Sequence, residues 1–126
     1  TETLRSVHAL VRFLIARLRF QSAILDAWKA GKPGDVRQLA ETEIPELVGL
    51  LDVFSSEIRA EWLRTARPFG LEIIQRRNAG VRERFFELLR RLRETDEIPE
   101  LDAQLAALET GVRTPLRNTF SGTVIA

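Results

Sequence analysis

Cysteine, methionine and tyrosine are absent from this 126-residue chain, and histidine occurs once. Without cysteine there is no disulfide, no thiolate metal site and no thiol nucleophile. A single histidine leaves no His-rich zinc site. An excess of one charge is missing too. Nineteen Lys and Arg against 18 Asp and Glu give a net charge of +1, which argues against a dedicated polyanion binder and so against nucleic acid as a partner. No apolar run approaches the ~18 residues that span a bilayer, and the N-terminus lacks the apolar stretch and small-residue cleavage site of a signal peptide. The expectation is a cytoplasmic protein with no membrane partner. A natural reading frame opens with methionine, so Thr1 is a processed end or a cut within a longer protein. The cut is the better reading.

Catalytic motifs are also missing. There is no Gly-rich phosphate loop, no GxSxG elbow and no EF-hand spacing. Acid–base work by paired carboxylates needs two acids in separated environments within a cleft, whereas the acids here lie beside arginines on faces that read as solvated. Aromatic residues follow core spacing and do not alternate with basic ones as in single-strand binders. No catalytic residue, cofactor or metal is expected.

What the chain does contain is helical periodicity, in a length suited to one domain with one core. Leu4, Val7, Val11, Leu14, Leu18, Leu25 and Trp28, widened by Ile15, recur at spacings of three, four and seven and predict the buried face of a first helix. Phe13 and Phe20 lie off that stripe and predict a second buried flank, and His8 beside the stripe is expected to be packed or hydrogen-bonded. Gly31-Lys32-Pro33-Gly34 stops the helix. Asp35, with Gln38 three residues on, reads as the cap of a short second helix. Pro45 predicts a kink or a fresh start at Glu43 to Pro45, after which Leu47, Leu51, Phe54, Ile58 and Trp62 carry a long helix onward.

Leu71, Ile74, Asn78, Val81, Phe85, Leu88 and Leu92 form the seam of the next helix. Asn78 is its one polar member and is expected to fix register or to pair with a polar group on a neighbour. Ala79 and Gly80 offer a small-residue surface for close approach of another backbone. The arginines between Arg76 and Arg93 interleave with Glu83, Glu87 and Glu94 and read as a charge-laced solvated face. Pro99 suits the first turn of a short final helix with Ile98, Leu101, Leu105 and Leu108 on its apolar face. From Val112 to Ala126 the composition reads as an extended tail. The expected fold is all-α, a bundle of three long antiparallel helices with two short helices and a C-terminal tail, within one domain spanning 1–126.

The corner before the third seam is the most distinctive stretch. Pro68 disfavours helix at Arg67, Gly70 can take a positive φ, and Phe69 between them is expected to plug into whatever packs over the corner. Read from Trp62 to Val81, the chain resembles the C-terminal helical domain of 20C-type family 20 glycoside hydrolases, which are bacterial exo-β-N-acetylhexosaminidases. Trp62, Pro68, Phe69, Gly70, Glu72, Arg77 and Gly80 fall on the family's pattern without a gap. Thr65, Ala66, Gln75 and Ala79 depart from it. The segments Gly34–Val48 and Ile98–Leu101 are similar as well, and Asn118–Ile125 more loosely so.

The resemblance implies an accessory module, packed on an N-terminal (β/α)8 catalytic domain of the same chain or used in homodimer contacts. In that family an Asp-Glu pair on the barrel performs the chemistry, so no catalytic residue is carried over here. Trp62, Arg67, Phe69, Glu72 and Arg77 would form a structural or interdomain cluster at the corner. The alternative is a free-standing helical interaction module that uses the small-residue face near Gly80 or the arginine face.

Overall fold

A computed structural model of the chain describes residues 2–65 and 69–109. It is all-helical, with four helices among the described residues: α1 (Glu2–Lys29), α2 (Pro33–Thr65), α3 (Leu71–Glu94) and α4 (Pro99–Glu109). The expected tail, 112–126, lies outside the described residues.

The first turn is the one the glycine signal predicts. Gly31 adopts φ 70°, its N–H bonds the Trp28 carbonyl at 3.0 Å, and the Lys32 N–H bonds the Ala27 carbonyl at 3.3 Å. That paired closure satisfies the last carbonyls of α1. Pro33 then opens α2, where a missing N–H costs nothing. Asp35 falls inside the first turn of α2 instead of capping a separate helix.

Of the kink or fresh start expected at Glu43 to Pro45, the fresh start does not occur. Pro45 sits inside a continuous 33-residue helix, with its ring on the exposed side. An interior proline costs about 3 kcal/mol. Ile44, Leu47 and Val48 around it are buried, and burial is worth about 1.5–3 kcal/mol for each such side chain. Packing on both sides of the proline therefore outweighs the lost hydrogen bond, and the expected short helix is the first part of α2.

A larger correction concerns α1. Its buried residues are Ala9, Phe13, Phe20 and Ile24, together with Ser6 and Arg17: Phe13 and Phe20 are the expected second flank, whereas of the predicted stripe only Leu14, Leu25 and Trp28 pack partly against the core. Leu4, Val7, Val11, Ile15 and Leu18 are exposed. The aromatic geometry explains the choice. Phe13 and Phe20 meet Phe85 of α3 edge-on, with centroids 6.3 and 6.2 Å apart and interplanar angles of 81° and 73°. Large rings that interlock this way gain contact beyond their buried area. Ser6 is accommodated on this face by donating to the Glu61 carboxylate of α2.

Around these rings the core gathers Val36, Ala40, Ile44, Leu47, Val48 and Leu51 of α2, Leu88, Leu89 and Leu92 of α3, Ile98 just before α4, and Leu101 of α4. Side chains tie the long helices together: Ser6 of α1 meets Glu61 of α2, and Asn78 and Arg93 of α3 meet Ser55 and Glu41 of α2. The seam of α3 is the predicted one, with Leu71, Phe85, Leu88 and Leu92 buried. Asn78 donates from Nδ2 to Ser55 Oγ at 3.0 Å, the cross-helix polar pair expected of it.

Candidate docking surface

The start of α1, the end of α2 and the start of α3 meet at one end of the bundle, beside the corner. Gly70 there adopts φ 95°, a conformation that L side chains rarely take. It caps α3 with no side-chain cap, its carbonyl accepting the Ile73 N–H at 3.1 Å. A Cβ at position 70 would come within 3.3 Å of Trp62 Cζ2, so the half-buried indole and the glycine define each other's place. Phe69 is 79% exposed.

The five corner candidates therefore divide. Trp62 braces the turn, Phe69 projects from it, and Glu72 lies exposed on the first turn of α3. Arg77 stands further along α3, on the wall of a groove. Arg67 lies outside the described residues. His8, expected to be packed, is at the surface, beside a shallow cavity shared with Arg12, Leu50, Val53 and Glu57.

The groove has a volume of about 550 Å³. Leu10, Phe13, Leu14 and Arg17 of α1 form one wall, Leu51 and Phe54 of α2 the floor, and Arg76, Arg77, Asn78, Gly80, Val81 and Arg84 of α3 the other wall. Gly80, expected to admit a neighbouring backbone, meets no atom within 4 Å of a Cβ built there, so the small residue widens this opening. Burial first, and the Arg84 charge second, hold the Arg17 guanidinium below its ordinary range.

Further along α3 the arginines are answered by carboxylates. Arg82 pairs with Asp52 at 3.3 Å, Arg90 with Glu83 at 2.6 Å and Glu87 at 2.5 Å, and Arg93 with Glu41 at 2.5 Å. Arg91 pairs with Glu100 of α4 at 2.6 Å. The solvated, charge-laced face read from the sequence is present, though three of these arginines reach across to α2 or α4. The hydrogen bond from Arg91 holds the Glu100 carboxyl below the usual carboxylate range, and Arg93 does the same to Glu41.

Sequence reasoning missed the exposed ridge on α1. Its signal was present: Phe13, Phe20 and Ile24 offered a second apolar face, concealed by the polar Ser6 and Arg17 that share it. Among the described residues no group of three or more His, Cys, Asp or Glu could hold a metal ion, and no helix is long and apolar enough to cross a membrane.

The described residues thus present an exposed apolar ridge on α1, a projecting phenylalanine at the corner and a groove whose lining includes four arginines. The chain matches the family model of the Glycoside Hydrolase 20C C-terminal domain over residues 1–115 and belongs to that family. It is a non-catalytic accessory part of a glycoside hydrolase 20 protein, and the family's C-terminal position implies a catalytic domain of the same chain as its partner. No curated protein and no solved structure matches the chain.

Proposed function

We propose that residues 1–126 form the single C-terminal accessory domain of a cytoplasmic bacterial exo-β-N-acetylhexosaminidase. It packs its corner end against the (β/α)8 catalytic domain of the same chain. In this reading the three long helices run antiparallel to their neighbours and act as a rigid strut. Phe69 is the projecting contact, Trp62 and Gly70 hold it in place, and Arg67, Glu72 and Arg77 are the remaining members of the interdomain set in this reading.

One observation carries the reading. Among the described residues the exposed large hydrophobic side chains, Leu108 excepted, fall between Leu4 and Leu18 of α1 or between Val53 and Ile73 around the corner. Isolated surface leucines need no explanation, but a cluster at one end of a domain marks a contact surface. A homodimer through α1 is disfavoured by charge. Arg5, Arg12 and Arg19 recur every seven residues beside the ridge, so two copies of α1 would bring like charges together.

The test is a photo-reactive residue, p-benzoylphenylalanine, placed at Val11 and separately at Phe69 of the full-length protein. Crosslinks from both positions to peptides of the barrel in the same chain are expected. Crosslinks only between copies, or none to the barrel from either position, would overturn the reading.

A further inference from the structure

The apolar residues of α1 run well past the face that the bundle uses. Leu4, Val11, Leu18 and Leu25 recur every seven residues, and Val7, Leu14 and Trp28 stand three residues after the first, second and fourth of them. Gln21 is the polar member of the series. This alternation of three and four is the repeat of a seam between two closely aligned helices. Phe13, Phe20 and Ile24, which are buried in the bundle, lie on the opposite side of the same helix. A helix with apolar residues on opposite faces is suited to a place between two layers.

The seam changes along its length. At its C-terminal end Leu25 and Trp28 pack against the domain's own core. The helix α4 reaches that end, where Asp102 accepts the Trp28 indole N–H at 2.7 Å. Toward the N-terminus Leu4, Val7, Val11, Ile15 and Leu18 are exposed. One stripe is thus met by a helix where it passes α4 and faces outward in the turns before it. From Leu4 to Leu18 those turns measure about 21 Å, room for a helix of about four turns.

We propose that the exposed half of the α1 seam receives a surface helix of the catalytic domain of the same chain, aligned within about 20° of α1 and packed through apolar side chains. The proposal rests on the accessory-domain reading and adds the partner element and its direction. Continuity selects a helix, because the other end of the same stripe already meets α4. The outside of a (β/α)8 domain offers helices, its strands lying within their ring. Attachment selects the same chain. The family's domain is C-terminal, so the catalytic domain precedes α1 and is tethered at the end where the exposed turns begin. A tether raises the effective concentration of that surface, an advantage that a second copy lacks. Residues 110–126 follow α4, which meets the other end of α1.

The experiment places p-benzoylphenylalanine at Leu4, Val11 and Leu18, one position at a time, in the full-length protein. All three side chains are exposed, so the bundle has room for the larger group. The expected products are intramolecular crosslinks to one helix of the catalytic domain. The attachment point should move by about seven residues, always in the same direction, from each probe to the next. Attachment to loops, to strands or to unrelated helices would overturn the proposal, as would crosslinks to residues 110–126 or to a second copy. A charge on the ridge then probes the seat. Ile15→Asp should lower the yield from all three probes several-fold, whereas Ile15→Leu keeps it. A yield indifferent to Ile15→Asp would mean that nothing apolar covers the ridge, and a loss of helix content in that variant would make Ile15 core; either overturns the proposal. Phe69 separates the two ideas. Barrel crosslinks from Phe69 with none from α1 sink the helix seat alone, while none from any of the four positions sinks the accessory-domain reading with it.

Discussion

The two ends of this bundle are made of the same three helices and finished in different ways. At the α4 end the chain closes its own core: Phe20, Ile24, Leu88, Leu92, Ile98 and Leu101 are buried together, and Arg91, Arg93 and Arg37 each meet a carboxylate. At the corner end Leu4, Val7, Val11, Phe69 and Ile73 face outward, and Arg76 and Arg77 line an open groove. Apolar content does not distinguish the ends. What differs is whether a fourth helix is present to cover the surface. The end that α4 covers shows paired charges and buried rings, and the corner end shows large apolar side chains exposed among the described residues.

Stability measurements on single variants would break this comparison if the ends behaved alike. The largest expected effect is at the closed end. Leu101→Ala removes a fully buried side chain that helps hold α4 in place, and should cost about 2–5 kcal/mol in denaturant unfolding of the domain. At the open end Phe69→Ser removes a ring that is 79% exposed and should change the domain's own stability by no more than about 0.5 kcal/mol. Equal losses from the two variants would mean that the corner is core rather than contact.

A second measurement sharpens the contrast inside α3. Gly80 is a helix-interior glycine with no neighbour in reach of a Cβ, so Gly80→Ala should raise the domain's stability by about 1 kcal/mol through helix propensity alone. In the full-length protein the same methyl would stand at the mouth of the groove. A smaller gain there than in the domain would place a partner against position 80. A destabilised domain would contradict the open groove.

Much of the fold was legible in the sequence. The seam of α3, the glycine stop after α1, the positive φ at Gly70, the Pro99 start of α4 and the Asn78 cross-helix pair follow from spacing and backbone chemistry within a few residues of each position. The face of α1 was legible only in part, with Phe13 and Phe20 buried as expected but Leu4, Val7, Val11, Ile15 and Leu18 exposed, and for a physical reason. That helix is apolar around much of its circumference, so periodicity offers two faces and cannot choose between them. The choice is made by Phe85, more than sixty residues away, whose ring fits between Phe13 and Phe20. Continuity through Pro45 escaped for a similar reason, because the local cost is visible in sequence and the packing that outweighs it is not. The family pattern located the corner, yet Phe69, Glu72 and Arg77 have separate surroundings that only the fold reveals.

The smallest expected effect comes from protons and acts on one end alone. In the folded chain the hydrogen bond from Arg91 holds the Glu100 carboxyl below its ordinary value of 4.5. A depressed folded pKa means that the pair's contribution is fully present above the unfolded value. It is lost as the pH falls through the folded one, so α4 should loosen only below about pH 4.5. Because the pair lies near the surface, solvent keeps the contribution modest. The two tryptophans report the two ends separately: the Trp28 indole donates to Asp102 of α4, and Trp62 lies against Gly70 at the corner. In a Trp62→Phe variant, the fluorescence of Trp28 should begin to change on acidification before global helix loss seen by circular dichroism. In a Trp28→Phe variant, Trp62 should change only with the global transition. Replacing Glu100 by Gln should shift the early Trp28 change toward neutral pH or remove it. If Trp62 responds first, acid opens the corner before the α4 end, and the ion pair to Arg91 does not set the difference between the two.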